Sequence, residues 1–341
     1  MPDVINFSDA VASAAGKKHL LLGNGFSRAC RDNIFAYGKL FDQADFSKLS
    51  PFAKQAFQIL GSTDFEIVID AFLSASKLLG LYSQTSQELA ETLRTDANRL
   101  REVLVAAVAG SHPNRPSDLT TTECEYCKAF LVNFSDIYTL NYDLLLYWVL
   151  MNDPTEPAIT CDDGFRQPED GVEAWVSWDS SAHSQNIYYL HGALHIYNAG
   201  AEIQKYTWCN TGLALLDQIR AALNAEKYPI FVAEGNSDQK MTRINRSSFL
   251  GRAYRSFENI GGSLFAYGMS FGESDRHIMR AIVRSKVENL YVSLYGDPDS
   301  DWNKAIVAIV DGLAAERGQI PKKKSLNVTF YDASSAKVWR P

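Results

Sequence analysis

The sequence lacks an apolar run long enough to cross a bilayer, which takes roughly 20 consecutive residues. Its start, Met1-Pro2-Asp3-Val4, lacks the basic and apolar regions of a signal peptide. No membrane partner is expected, and a cytoplasmic location is. Basic residues are not in excess. The 33 Lys and Arg are outnumbered by 40 Asp and Glu, a net charge of −7, which argues against direct nucleic-acid binding as the main task. Cysteine is scarce. The five residues, Cys30, Cys124, Cys127, Cys161 and Cys209, are odd in number and scattered, so they make no disulfide framework. Cys124 and Cys127 form one CxxC, half of a tetrahedral zinc site with no second pair. Thiols on a helix are the preferred reading, and no metal is expected. Internal repeats and low-complexity segments are also absent.

What is present is an ordinary globular composition, 46% hydrophobic and 21% charged over 341 residues. That length suits one large α/β domain, or one domain plus an insertion. Lys17-Lys18-His19-Leu20-Leu21-Leu22 is a short apolar run ending in Gly23-Asn24-Gly25, the texture of a buried parallel strand followed by a tight turn. Phe26 to Cys30 can begin a helix or a loop. Between residues 51 and 110 the texture changes. Leu89, Leu93, Leu100, Val103, Leu104 and Ala107 recur at helical spacing until Ser111-His112-Pro113 stops them. This stretch reads as a helical insertion or subdomain.

Strand-like runs then resume. Phe134 to Leu140 leads into Asn141-Tyr142-Asp143 and a helical segment, Leu144 to Leu150. Residues 152–185, rich in Asp, Pro, Gly and Ser, read as an extended loop. Ile187 to Leu190 ends at His191-Gly192, and Pro229 to Ala233 is a further strand. Ser263 to Tyr267 leads into Gly268-Met269-Ser270. Asn289 to Leu294 and Leu326 to Tyr331 are strands, with a helix from Trp302 to Arg317 between them. This alternation predicts an α/β fold built on a doubly wound, mostly parallel, Rossmann-like sheet, in a single domain spanning 1–341. Such sheets bind ligands at the carboxyl ends of their strands, near a topological switch.

Four groups at strand ends can carry chemistry. Gly23-x-Gly25-x-Ser27 can admit a pyrophosphate to the backbone, or can be a plain strand-to-helix turn; it is not a full GxGxxG. Asn141 can hold ribose hydroxyls or a water, whereas Asp143 fits a helix N-cap. His191 can act as a general base, or can be a histidine satisfied inside the fold. His195 reads as structural. Gly268 and Ser270 can admit an adenosine, while Asp275, near His277, reads as a helix cap. Asp162 and Asp163 lie in a loop without an evident carboxylate partner, which leaves a nuclease unsupported.

Taken in order, Gly-x-Gly-x-Ser, Thr-Leu-Asn-Tyr-Asp, Leu-His-Gly and Gly-x-Ser resemble the SIR2 superfamily, closer to its bacterial SIR2-like branch than to the protein deacylases. The resemblance runs from about Leu20 to Ser270. It implies that Gly23, Asn24, Gly25, Phe26 and Ser27 hold the NAD+ pyrophosphate. It also implies that Asn141 holds the ribose or a water, that His191 is the general base, that Asp143 borders the nicotinamide pocket, and that Gly268 and Ser270 lie on the adenosine side. Deacylases of that family follow the glycine turn with Gly-Ile-Pro-x-Phe-Arg. Here Arg31-Asp32-Asn33-Ile34-Phe35-Ala36 stands in its place and keeps only Phe35, the residue matched to a lid over nicotinamide. With the paired zinc cysteines also missing, the resemblance implies an NAD+ glycohydrolase releasing nicotinamide and ADP-ribose rather than a deacylase. It further implies a role in antiphage defence, triggered by oligomerisation, by a partner protein encoded nearby or by a nucleotide signal. The alternatives are a noncatalytic NAD+ or ADP-ribose sensor subunit and an NAD-dependent protein deacylase.

Overall fold

The computed structural model describes residues 3–35, 41–47, 49–63, 65–82, 86–152, 157–167, 175–207, 212–225, 227, 229–232 and 236–341. Along the chain, β1 (Val4–Ile5) and α1 (Phe7–Ser13) precede β2 (Lys18–Leu22) and α2 (Asn24–Phe35). Helices α3 (Ala53–Ile59), α4 (Phe65–Tyr82), α5 (Gln87–Ser111) and α6 (Thr121–Leu131) follow, then β3 (Asp136–Thr139) and α7 (Leu145–Met151). Next come β4 (Phe165–Arg166), β5 (Trp175–Trp178), β6 (Ile187–Tyr189), β7 (Gly192–Asn198), β8 (Ile203–Tyr206), α8 (Leu215–Asn224) and β9 (Pro229–Phe231). The chain closes with α9 (Ser237–Arg246), α10 (Ser248–Glu258), β10 (Gly261–Tyr267), α11 (Arg276–Arg284), β11 (Lys286–Leu294), α12 (Asp301–Gly318) and β12 (Asn327–Asp332).

Seven strands form one sheet in the order β1-β12-β11-β10-β2-β3-β6, and every pairing in it is parallel. From β2 the chain first moves outward to β3 and β6, then returns to β10 on the other side of β2. The winding direction therefore reverses between β2 and β10, which makes their carboxyl ends the switch point.

Both faces of the sheet are covered. Phe265, Leu20 and Ile137 share one register row and hence one face. On that face Phe265 meets Phe7 of α1 and Phe134. Leu21 and Tyr138 occupy the next row and the opposite face. There Tyr138 stacks on Tyr188 at 4.8 Å and meets Phe257 of α10. Burial on both sides explains why β2 reads as an unbroken apolar run, with Leu20, Leu21 and Leu22 wholly inaccessible.

A second sheet, β4-β5-β8-β7-β9, is antiparallel. This corrects one expectation and locates another strand. The stretch expected to be an extended loop contains β4 and β5, because Phe165 and the Trp175–Trp178 strand bury apolar side chains against Phe249 of α10. The strand expected from Pro229 is present as β9 and pairs with β7 in this second sheet. Between residues 51 and 110, α3, α4 and α5 fill the helical stretch, and α5 ends at Ser111 ahead of His112-Pro113. Cys124 and Cys127 are buried on α6, whereas Cys209 lies outside the described residues. Among the described residues no helix is long and apolar enough to cross a membrane.

Candidate functional site

Register brings the four strand-end groups together. Tyr267, Leu22, Thr139 and Tyr189 form a single row across β10, β2, β3 and β6. The chain leaves that row through Gly268, Gly23, Leu140 and Leu190, so Asn141 and His191 each stand two residues beyond it. They open onto one cleft of about 1540 Å³, whose lining includes Gly23, Asn24, Gly25, Asn141, Asp143, His191, Gly268 and Ser270.

The switch point is a backbone-to-backbone contact. The Gly23 and Gly25 amides donate to the Tyr267 and Gly268 carbonyls at 2.9 and 2.8 Å. A Cβ on Gly25 would sit 2.5 Å from the Gly268 Cα, so only glycine fits there. α2 starts immediately, at Asn24, so its positive end lies beside the cleft that Gly23, Asn24 and Gly25 line.

Asn141 is held firmly. Its Nδ2 donates to the Gly23 carbonyl at 2.9 Å and to Ser27 Oγ at 3.1 Å, while its own amide donates to Thr139 Oγ1. Both side-chain protons are thereby committed, and Oδ1 remains as an acceptor for a hydroxyl or a water. Ser27 is wholly buried and donates to Asp143 Oδ2. The other Asp143 oxygen accepts from the Leu145 amide at 2.8 Å. Asp143 thus does part of the capping work expected of it and also ties α7 to α2. Ser27 supports this cluster from below instead of lining the cleft.

Two expected cofactor residues do not line the cleft among the described side chains. Phe26 is 1% exposed and packs on Trp339 at 4.9 Å, while its carbonyl accepts from Trp339 Nε1 at 2.8 Å. Its side chain belongs to the core because it lies on the inward face of α2. Phe35 ends α2, and its side chain lies outside the described residues.

His191 is 4% exposed. Its Nε2 lies 3.0 Å from His277 Nε2 and 4.0 Å from Asp275 Oδ1. Burial pushes the ring well below the usual histidine range, and Lys240 adds to this while Asp275 opposes it. His277 is likewise pushed down by burial, to about 4. Asp275 stands at the N-cap of α11 but makes no capping hydrogen bond, so its reading as a cap is overturned. Its carboxylate instead faces Lys240 Nζ at 3.2 Å, on a lysine that is 1% exposed. Burial alone would raise the Asp275 carboxyl, but Lys240 and the two histidines bring it below its ordinary range. Among the described residues, His191, Asp275 and His277 also bring donor atoms within 4.8 Å of one another, a set able to hold a metal ion. That grouping was not foreseen.

Sequence reasoning also missed His112. It accepts from the Leu144 amide through Nε2 at 3.1 Å, beside Asp143 and edge-on to Trp148. Its only visible signal was the proline that follows it. Lys240 had none, because a lysine within a polar helix reads as solvated. His195 is wholly buried between Tyr147 and Tyr189, away from the cleft lining. Asp162 and Asp163 are taken up by Arg166 and Lys205.

The family model described as "Domain of unknown function (DUF4917)" matches residues 20–339. No curated protein matches the chain. Among solved structures, a sirtuin from work on substrate affinity is similar at 13% identity and TM-score 0.36, over 91% of this chain and 97% of that one. Sir2Tm bound to a propionylated peptide is similar at 12% identity and TM-score 0.36, over 92% and 97%. A mutant Sir2 homologue in complex with ADP-ribose is similar at 12% identity and TM-score 0.32, over 92% and 97%.

Proposed function

The chain belongs to the DUF4917 family, whose description names no reaction, and from its site we propose that it binds NAD+ in the switch-point cleft and hydrolyses the nicotinamide–ribose bond. The observation that carries this reading is the single register row from which the Gly23, Asn141, His191 and Gly268 segments all emerge. The order of those motifs along the chain is the one that resembles the SIR2 superfamily.

The site's chemistry suits the reaction. Nicotinamide leaves NAD+ as a neutral molecule from a cationic ring, so its departure needs no proton. What remains is to steady an oxocarbenium-like ribose, exclude bulk water and activate one water. The pyrophosphate would lie against the Gly23–Gly25 turn, at the start of α2. Asn141 Oδ1 would accept from a ribose hydroxyl or the attacking water. His191, neutral through burial, would accept the proton released. The balance is NAD+ plus water giving nicotinamide, ADP-ribose and a proton. His191, Asn141 and the Gly268-x-Ser270 turn keep the roles that the resemblance implies.

The same resemblance extends the proposal to a triggered effector of antiphage defence, activated by oligomerisation, by a neighbouring gene product or by a nucleotide. The α3–α5 stretch is a candidate contact surface for that trigger, the alternative being that it only shields the sheet. The deciding experiment incubates the full chain with NAD+, alone and with its genomic neighbours, and measures both products. Nicotinamide and ADP-ribose should appear in equal amounts and should disappear in a folded His191→Ala variant. Tight NAD+ binding with no product, trigger present, would make the protein a sensor. Turnover only with acetylated peptide would make it a deacylase.

A further inference from the structure

The nitrogen with which His191 takes a proton is decided by a neighbour that no sequence motif contains. An imidazole presents two nitrogens, and a hydrogen bond at one fixes the state of the other. His191 Nε2 and His277 Nε2 lie 3.0 Å apart inside the fold. Both rings are held neutral by burial, so one proton lies between them. The question is which ring supplies it.

Two observations give the same direction. The Asp275 carboxylate stands 4.0 Å from His191 Nε2. A negative oxygen there favours an N–H over a lone pair at that nitrogen. On the other ring, His277 Nδ1 is buried without a well-aligned partner, and the adjoining Ser274 backbone favours the protonated ring. A neutral His277 therefore keeps its proton on Nδ1 and offers a bare Nε2. The ring is held in place, since Tyr254 Oη donates to the His277 carbonyl at 2.9 Å and the side chain is wholly buried at the start of α11.

We infer that His277 is a positioning residue for His191: it accepts the Nε2–H of His191 and leaves His191 Nδ1 as the nitrogen that takes up a proton in the cleft. Among the described residues Nδ1 of His191 has no hydrogen-bond partner, and His191 lines the cleft. Lys240 explains why the cluster works as a proton device and not as a cation site. Its ammonium already stands 3.2 Å from Asp275 Oδ1, so the single carboxylate of the group, still ionised, already has a cationic partner. A divalent ion would have to displace a lysine that is 1% exposed and leave it charged in the interior.

The inference rests on His191 being the base of the proposed hydrolysis, but its first test does not need that activity. Nitrogen-15 NMR of the full chain, with the two rings assigned by single substitutions, should show His191 protonated at Nε2 and bare at Nδ1. The reverse tautomer would overturn the inference. The second test compares His277→Gln, whose amide oxygen can still accept from His191, with His277→Leu, which cannot. The Leu variant should lose kcat by about 10²-fold, the low end for a general base. Its KM should stay within about twofold, because uniform binding is untouched. The Gln variant should recover most of the loss. Equal losses in both variants, or a change confined to KM, would count against positioning. Elemental analysis of purified protein should find no stoichiometric metal, and an ion lost on Asp275→Asn would also overturn the assignment. If wild-type protein consumes no NAD+ even with its trigger, the hydrolase reading fails while the NMR result still decides the tautomer.

Discussion

Asn141 lines the cleft and also ties strand ends together, and under the proposed hydrolysis its replacement should show both. Its two amide protons bind the Gly23 carbonyl and Ser27 Oγ. Asn141→Ala should therefore abolish NAD+ turnover and also destabilise the chain by roughly 1–3 kcal/mol, the cost of leaving buried partners unsatisfied. Urea titration of the variant checks the second part. Ser27→Ala strips a donor from Asp143 and an acceptor from Asn141. It should cost a similar amount and weaken turnover without any contact to ligand. Wild-type stability in Ser27→Ala would mean the buried cluster is not a support. Asn141 and His191 were legible at this scale because each ends a β-rich run in a polar residue. The exhaustion of Asn141's donors was not, since hydrogen-bond partners 114 to 118 residues away leave no trace in local sequence.

At the scale of elements, α9 and α11 are tied by the Lys240–Asp275 pair. Removing the buried lysine leaves the Asp275 carboxylate, 18% exposed, without its cation. Lys240→Met should destabilise by about 1–3 kcal/mol, less than the loss of a fully buried pair because Asp275 is partly exposed, and Lys240→Met with Asp275→Asn should recover most of it. Thermal unfolding of the single and double variants measures this. No recovery in the double variant would mean the lysine acts through its packing alone. The strands of the parallel sheet were readable because burial on both faces leaves continuous apolar runs, as in Leu20–Leu22 and Leu264–Tyr267. The antiparallel sheet was not. β9 was readable as a strand but its pairing with β7 was not, and β4, with two residues, sits among Asp, Pro and Gly whose loop signal is stronger than so short a strand can carry. Asp275 shows the opposite failure. Ser-Asp before an apolar helix is an ordinary capping pattern, and only Lys240, arriving from another helix, diverts the carboxylate.

The whole molecule holds several histidines neutral in its interior, with a consequence for pH. Burial lowers His112 and His195 from the ordinary value of 6.5. The unfolded chain then binds more protons than the folded one below that value, so stability rises with pH through this window. It should be fully present above about pH 6.5 and decline as the pH falls toward each folded value. Urea midpoints taken from pH 7 downward should drop, and His195→Phe, a substitution of similar shape between Tyr147 and Tyr189, should reduce the drop. A pH-independent midpoint would contradict the buried neutral state. At the same scale Trp339 closes the fold on Phe26, 313 residues earlier. Trp339→Ala should cost about 3–5 kcal/mol as a large core truncation, and it should disturb α2 and the turn that begins it.

Sequence alone determined the alternation of strands and helices, the parallel α/β class and the four polar strand ends, because burial on two faces and tight turns impose local composition. The tertiary structure decided their meaning. Parallel register set Tyr267, Leu22, Thr139 and Tyr189 in one row, and the reversal of winding between β2 and β10 pressed Gly25 against Gly268. The fold also moved Phe26 into the core and assembled His191, His277, Asp275 and Lys240 from three separate segments. Contacts of that kind depend on distances between residues far apart in the chain, which no periodicity or local motif encodes.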